Sequence, residues 1–351
     1  MKEERASMFD SLSLSPHAGA TPYAFPQAIV IAGPTASGKT ALAIALARRL
    51  GTEIISADSM QFYRGMAIGT AAPTREEQAL VRHHFVGFLD PAEDFSAGAF
   101  EILARKVVRD LNARGRPAVV VGGSGLYLRA LCGGLFDGPP KNEEIRLRLR
   151  AEARERGVAA LYERLRAVDA DYAALIGAND LRRIVRALEV HEITGRPLSA
   201  LHREHRERRE PLDAVWVGID LPRETLYARI DARVDAMIAQ GFAGEVRALL
   251  DRGYMPHIER LKCLGYREMA AHLLGEISLD EAVALVKRNT RHYAKRQISW
   301  FRRESEIYWI SAIGPEQAAV TVINAIEAGQ AKPPGARFDG YQEDKDDVRL
   351  A

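Results

Sequence analysis

The chain has 351 residues, of which 47% are hydrophobic and 27% charged. That composition belongs to a globular protein with one large domain or two smaller ones, and it excludes a disordered or fibrous chain. The net charge of +2 excludes a globally basic nucleic-acid binder, so any such surface must come from local clustering.

Residues 1–26 are rich in Ser, Ala and Pro without a period and read as a flexible tail with no signal peptide. A short apolar run, Ala28 to Ala32, predicts the first strand, and Ala41 to Leu50 predicts a helix. Between them stand Gly33, Pro34, Thr35, Ala36, Ser37, Gly38, Lys39 and Thr40. These eight residues satisfy G-x-x-x-x-G-K-[ST] in the strand–turn–helix setting that the motif requires. The glycines let successive N–H groups turn inward, and the helix N-terminus adds positive potential, so the loop binds a di- or triphosphate. Lys39 adds a point charge, and the Thr40 hydroxyl is placed to ligate Mg²⁺.

Glu53 to Ala57 predicts a second strand, ending at Asp58, and Phe85 to Leu89 a third, preceded by His83 and His84. Ile68 to Pro73 reads as a loop. Ser96 predicts an N-cap for a helix reaching about Arg114. Pro117 to Val121 is a fully apolar fourth strand, as in a sheet covered on both faces, and a short helix starts at Leu126. Gly133 to Pro140 breaks the strand–helix alternation, and from Lys141 to about Arg209 the chain reads as helical and arginine-dense. Strand character returns at Ala214 to Ile219, followed by a helix from Pro222. Residues 254–267 read as a mixed loop, 278–303 as a long helix, 308–310 as an edge strand and 315–328 as a last helix.

The expected fold class is therefore α/β: a P-loop NTPase-like, mostly parallel sheet with helices on both faces and an inserted all-helical domain. The expected boundaries are 27–138 and 212–330 for the core, 139–211 for the insertion and 331–351 for a disordered tail. Cys132 and Cys263 lack metal or disulfide spacing, which fits a reducing, cytoplasmic setting. No apolar run approaches membrane-spanning length, so no membrane partner is expected.

Two features bear on the loop's ligand. A P-loop NTPase carries an acid at the end of a second apolar strand, whereas strand four here ends in Gly122, Gly123 and Ser124. The acid stands instead at Asp58, where it could ligate metal, act as a general base or cap a turn. Residues 287–303 hold seven Lys/Arg and no acid, with Arg288, Arg291 and Lys295 on one helix face and Tyr293, Trp300 and Phe301 interleaved. That pattern fits phosphate-backbone contact with base stacking.

At this point the residues resemble a known family, the tRNA dimethylallyltransferases. The resemblance runs through Gly33 to Thr40, Asp58-Ser59, Tyr63 to Met66, Ile68 to Ala71, His83-His84, Leu89 to Pro91 and Gly122 to Ser124. It continues through Asn179-Asp180, Arg183, Arg186 to Val190, Gly265 to Arg267 and Ala294 to Gln297, and covers about 28–312. It implies that the loop holds dimethylallyl diphosphate. It further implies transfer of the dimethylallyl group to N6 of the adenosine 3′ of the anticodon, in tRNAs reading codons that begin with U. The helical insertion would grip the anticodon stem-loop, and the target base would leave its stack.

By the same resemblance, Asp58, Thr35, Lys39 and Arg233 are catalytic, and Gly33 to Thr40 bind diphosphate with Thr40 on Mg²⁺. The implied tRNA contacts are Asp58, Ser59, Met60, Gln61, Ser124, Arg146, Arg182, Arg183, Ile184, Val185 and Arg186. They extend to Lys262, Gly265, Tyr266, Arg267, Lys295, Arg296, Gln297 and Arg302. Ser124 stands where the family has threonine and Lys262 where it has arginine; a single phosphate contact survives the second change, a bidentate one does not. The eukaryotic zinc finger is absent, and a monomer is expected. The rival expectations are a P-loop small-molecule or nucleotide kinase, and an RNA-binding GTPase-like switch, for which no [NT]-K-x-D motif exists.

Overall fold

The computed structural model describes residues 25–136, 138–304 and 306–332. The readings of 1–24 and 333–351 as tails lie outside the described residues. Six strands form one sheet: β1 (Ala28–Ala32), β2 (Ile54–Ser56), β3 (His83–His84), β4 (Ala118–Gly122), β5 (Ala214–Asp220) and β6 (Ile307–Ser311). Their order is β3-β2-β4-β1-β5-β6, and every pairing is parallel. β1 and β4 are buried on both faces and accordingly carry the unbroken apolar runs AIVIA and AVVVG.

Alternate residues of these strands feed two cores. Ile29, Ile31, Val119 and Val121 pack against α1 (Lys39–Arg49) and, at the chain's end, the helix Pro315–Glu327. Val30, Val120 and Trp216 face the opposite layer with Phe100 and Leu128. Phe100 belongs to α3 (Ala97–Ala113), capped by Ser96 as expected, and Leu128 to α4 (Gly125–Gly133). Before α3 comes α2 (Arg75–Leu80), which the apolar pattern does not reveal. Its signal is the reciprocal capping box of Thr74 and Glu77.

Residues 143–208 form five helices with a core of their own: α5 (Glu143–Arg156), α6 (Val158–Val168), α7 (Ala170–Leu175), α8 (Leu181–Thr194) and α9 (Leu198–Arg208). The chain then re-enters the sheet at β5. It continues through α10 (Arg223–Ala239), α11 (Phe242–Asp251), α12 (Met255–Leu261), α13 (Tyr266–Leu273), α14 (Leu279–Phe301) and, after β6, α15 (Pro315–Glu327). No helix among the described residues is long and apolar enough to cross a membrane.

Two expectations are corrected. The third strand is His83–His84 and not 85–89. Phe85 is left-handed at φ 64°, and residues 87–89 instead bond the 61–64 backbone. Phe85 and Phe88 are apolar because they pack edge-on, Phe88 against Phe62, Phe85 against Phe100, and the two against each other. Residues 254–267 are largely helical and not a loop. Pro256 falls in the first turn of α12, where its missing N–H costs nothing, and left-handed Lys262 ends that helix.

Candidate active site

The site lies at the C-terminal ends of β1, β2 and β4, where an open parallel sheet leaves a crevice. The loop after β1 has φ of 142° at Gly33, 62° at Ala36 and 100° at Gly38, the alternation that turns amides inward. Gly38 caps α1, so Lys39 and Thr40 are its first residues. Lys39 Nζ donates to the Pro34 carbonyl at 2.6 Å. Burial, then the Arg233 guanidinium, lower its pKa to about 7, and Asp58 works against both. Arg233, on α10, approaches the Thr35 hydroxyl at 3.5 Å.

Asp58 stands two residues past the end of β2. Its carboxylate accepts the Met60 N–H at 3.1 Å. Burial raises its pKa above the usual carboxylate range, while that N–H and Lys39 hold the rise back. The glycines that end β4 explain why no acid stands there. A Cβ on Gly122 would lie 2.3 Å from the Ala57 carbonyl oxygen, and one on Gly123 2.2 Å from Gln297 Nε2. Any side chain at position 122 is therefore excluded, and the acid of the crevice comes instead from just past β2.

Two cavities meet here. The smaller, about 170 Å³, has Thr35, Asp58 and Arg233 at its polar end. Met237, Phe242, Leu264 and Val286 supply apolar wall. The larger, about 440 Å³, opens between core and insertion, with Lys141, Arg182, Arg183, Arg186 and Arg260 around it and Tyr63, Tyr127 and Tyr172 as aromatic surface. Ser59, Met60, Leu261 and Tyr293 line both cavities, so Asp58 stands beside their junction. One cavity thus offers an anion grip with an apolar pouch, and the other a basic, aromatic mouth.

Among the sequence-predicted residues, Ser59, Met60, Ser124, Arg182, Arg183 and Arg186 reach the larger cavity, and Lys262, Gly265 and Arg296 the smaller. Lys295, Arg267 and Arg302 are exposed. Other expected tRNA contacts are placed differently. Ile184 and Val185 are buried in the insertion's own core. Tyr266 is fully buried, and its hydroxyl donates to Glu245 at 2.6 Å. Arg146 is held by both carboxylate oxygens of the buried Glu189 at 2.8 and 2.9 Å. Gln61 spends its amide on Ser56 and on the carbonyls of Thr70 and Ala71. Gln297 is 2% exposed and bonded to the phosphate loop.

The basic helix is also corrected. Arg291 pairs with Asp231 at 2.5 Å and Lys287 with Asp235 at 2.6 Å, so α10 supplies the opposite charge that residues 287–303 lack. Trp300 and Phe301 are buried core residues, and Trp300 takes Arg129 on its face at 4.4 Å. His84 and Glu53 bond at 2.6 Å at the sheet edge, a polar contact away from the crevice.

Sequence reading missed Glu245. Its carboxylate accepts the N–H groups of Ala67, Ile68 and Gly69 at 2.8 to 3.0 Å and fixes the loop that walls the smaller cavity. A lone glutamate on an amphipathic helix carries no local signal of that task.

Residues 61–304 match the model of the IPP transferase family. A tRNA dimethylallyltransferase of Geobacter metallireducens is 48% identical over 84% of this chain and 96% of its own. One of Syntrophobacter fumaroxidans is 50% identical over 81% of this chain and 83% of its own. Among solved structures, the tRNA isopentenylpyrophosphate transferase of Bacillus halodurans superposes with a TM-score of 0.63 at 38% identity, covering 86% of this chain and 95% of that one. A eukaryotic dimethylallyltransferase acting on tRNA gives 0.72 at 27% identity over 88% and 81%. In sequence along most of its length, and in the fold that carries its phosphate loop and two joined cavities, the chain belongs to the IPP transferase family.

Proposed function

We propose that this enzyme transfers the dimethylallyl group of dimethylallyl diphosphate to N6 of the adenosine 3′ of the anticodon, in tRNAs reading codons that begin with U. The observation that carries the reading is the meeting of an anion grip with an apolar pouch and a basic, aromatic mouth at Asp58. The diphosphate lies against the loop amides, Lys39 and Arg233, and the five-carbon group fills the pouch beside Met237 and Val286. The extruded adenine arrives from the other side, past Ser59, Met60 and Tyr293.

N6 attacks C1 of the allyl group, so a carbon–nitrogen bond forms as the carbon–oxygen bond to diphosphate breaks. Asp58 takes the proton that N6 gives up, and its raised pKa suits a base working near neutrality. Charge growing on the leaving diphosphate meets Lys39, Arg233 and the α1 N-terminus. The Thr40 hydroxyl in the first turn of α1 fits Mg²⁺, a hard cation that commonly takes one or two protein oxygens and completes its shell from substrate phosphates and water. Bound there, the ion would neutralise part of the diphosphate charge. Lys141, Arg182 and the exposed Lys295 are the cations offered to the RNA backbone. The same reading has the enzyme act as a cytoplasmic monomer; sedimentation of the free protein as a dimer would overturn the monomer.

The test offers labelled dimethylallyl diphosphate with unmodified tRNA, beside ATP and GTP turnover. Label on N6 of that adenosine supports the reading. Phosphorylation of a small molecule with no label on tRNA overturns it. The crowding at Gly122 argues against a kinase on physical grounds, since no side chain, acidic or otherwise, can stand at the last residue of β4.

A further inference from the structure

Gln297 sits on α14 behind the phosphate loop and is 2% exposed. Its Oε1 accepts the Thr35 N–H at 2.8 Å, and its Nε2 donates to the Gly123 carbonyl at 2.9 Å. One turn earlier Ala294, fully buried, packs on Ala36, the loop residue with left-handed φ. The β4–α4 turn is shaped for this contact, because any Cβ on Gly123 would overlap Nε2. A single amide therefore joins three segments. These are the arm of the loop that bears Thr35, the turn that bears Ser124, and the helix that bears Tyr293.

The geometry points to Gln297 as a positioning residue: it holds the Thr35 arm of the phosphate loop in its binding conformation, in register with the turn that serves the larger cavity, and it does not contact RNA. The inference deepens the proposed function and rests on it only for the identity of the donor. A freed arm can turn its amides away, and the anion then meets a loop that must be reordered on binding. An apolar residue of the same length leaves the Thr35 N–H and the Gly123 carbonyl unpaired. A glutamate is more informative. Ionised, it still accepts from Thr35, but it repels the Gly123 carbonyl and the incoming anion. Protonated, its O–H donates to Gly123 and the clasp is restored.

The test measures binding of magnesium pyrophosphate by calorimetry to the wild type, Gln297→Met and Gln297→Glu, each from pH 8 to pH 5.5. Each variant is expressed as a ratio to the wild type at the same pH. That ratio cancels the ionisation of pyrophosphate itself and, to first order, of the site's other groups, Lys39, Asp58 and Arg233. The expected result is a loss of about tenfold or more for both variants at pH 8, matching about 1.4 kcal/mol or more. Gln297→Glu then recovers toward the wild type at low pH, and Gln297→Met does not. A Gln297→Met protein that binds pyrophosphate as the wild type does, or a Gln297→Glu ratio flat with pH, overturns the inference. Because this readout needs neither tRNA nor transfer, it stands if the donor proves different. A second arm measures tRNA affinity of the folded Gln297→Met protein, which is expected to stay within about twofold of the wild type. A larger loss there with pyrophosphate binding intact makes Gln297 an RNA contact and overturns the positioning role.

Discussion

Two ionisable groups at the crevice are displaced in opposite directions by the same burial. Lys39 is pushed down to about 7 and Asp58 is pushed up, each restrained by the other. In the free enzyme much of the Lys39 amine is therefore neutral at the pH where Asp58 must be charged. A bound diphosphate restores the positive charge, so binding takes up a proton. The sign follows: where binding takes up protons, affinity falls as pH rises. Between pH 7.5 and 9, the diphosphate affinity is expected to fall with a slope approaching one proton per ligand. Calorimetry in buffers of different ionisation enthalpy measures that uptake, and Lys39→Ala should abolish it.

The Asp58 expectation has the opposite slope. A base must be ionised, so kcat falls as pH drops through its pKa, and that limb should lie above 3.8, the ordinary aspartate value. Asp58→Asn is expected to lower kcat by roughly 10²- to 10⁴-fold and to remove the limb, with tRNA affinity nearly unchanged. Lost tRNA binding with little change in kcat would contradict the base role. Both residues were legible in sequence, since a phosphate loop announces its lysine and a missing strand-end acid directs attention to the next one. Their coupling was not, because it depends on the fold bringing the end of β2 beside the phosphate loop.

At the scale of elements, long apolar runs made β1, β4 and β5 readable, and β2 and β6 were placed to within a residue at either end, while β3 and the helices of 254–267 were misread. β3 has two residues, and its apolar neighbours serve an aromatic cluster, so hydrophobicity pointed to the residues just after it. Likewise the charge of α14 was visible but not its partner, since Asp231 and Asp235 come from α10. Glu245 shows the same limit. It fastens three successive amides of the 67–69 loop and the Tyr266 hydroxyl, so a remote helix shapes the wall of the pouch. Gly69 must be glycine for that packing, because a Cβ would lie 2.2 Å from the Phe242 ring. Glu245→Ala leaves those donors unpaired, at about 1–3 kcal/mol for each one kept from water. The expected outcome is a lowered urea midpoint and a KM for dimethylallyl diphosphate raised more than the Kd for tRNA. Equal effects on both would mean that the loop supports the whole molecule and not the pouch.

For the whole molecule, the question is which of 49 basic residues meet RNA. Density along the chain is a poor guide. Arg148 and Arg164 share Glu192, Arg166 pairs with Glu163 and Arg146 with Glu189, so much of the insertion's charge is internal structure. Among the described residues, Arg182 and Lys141 stand at the larger cavity without a carboxylate partner. Counterion release then distinguishes them from the paired set. Each phosphate contact contributes about one unit to the slope of log K against log salt. Arg182→Ala should reduce that slope by about one for an anticodon stem-loop, with affinity converging on the wild type at high salt. Arg148→Ala, which removes a cation already neutralised by Glu192, should leave the slope unchanged and lower only stability. Filter binding from 50 to 300 mM salt, on the order of the range where such slopes are read, separates the two. If Arg148→Ala flattened the slope as much as Arg182→Ala, RNA would lie across the outer face of the insertion. The basic mouth would then not be the route by which the base reaches Asp58.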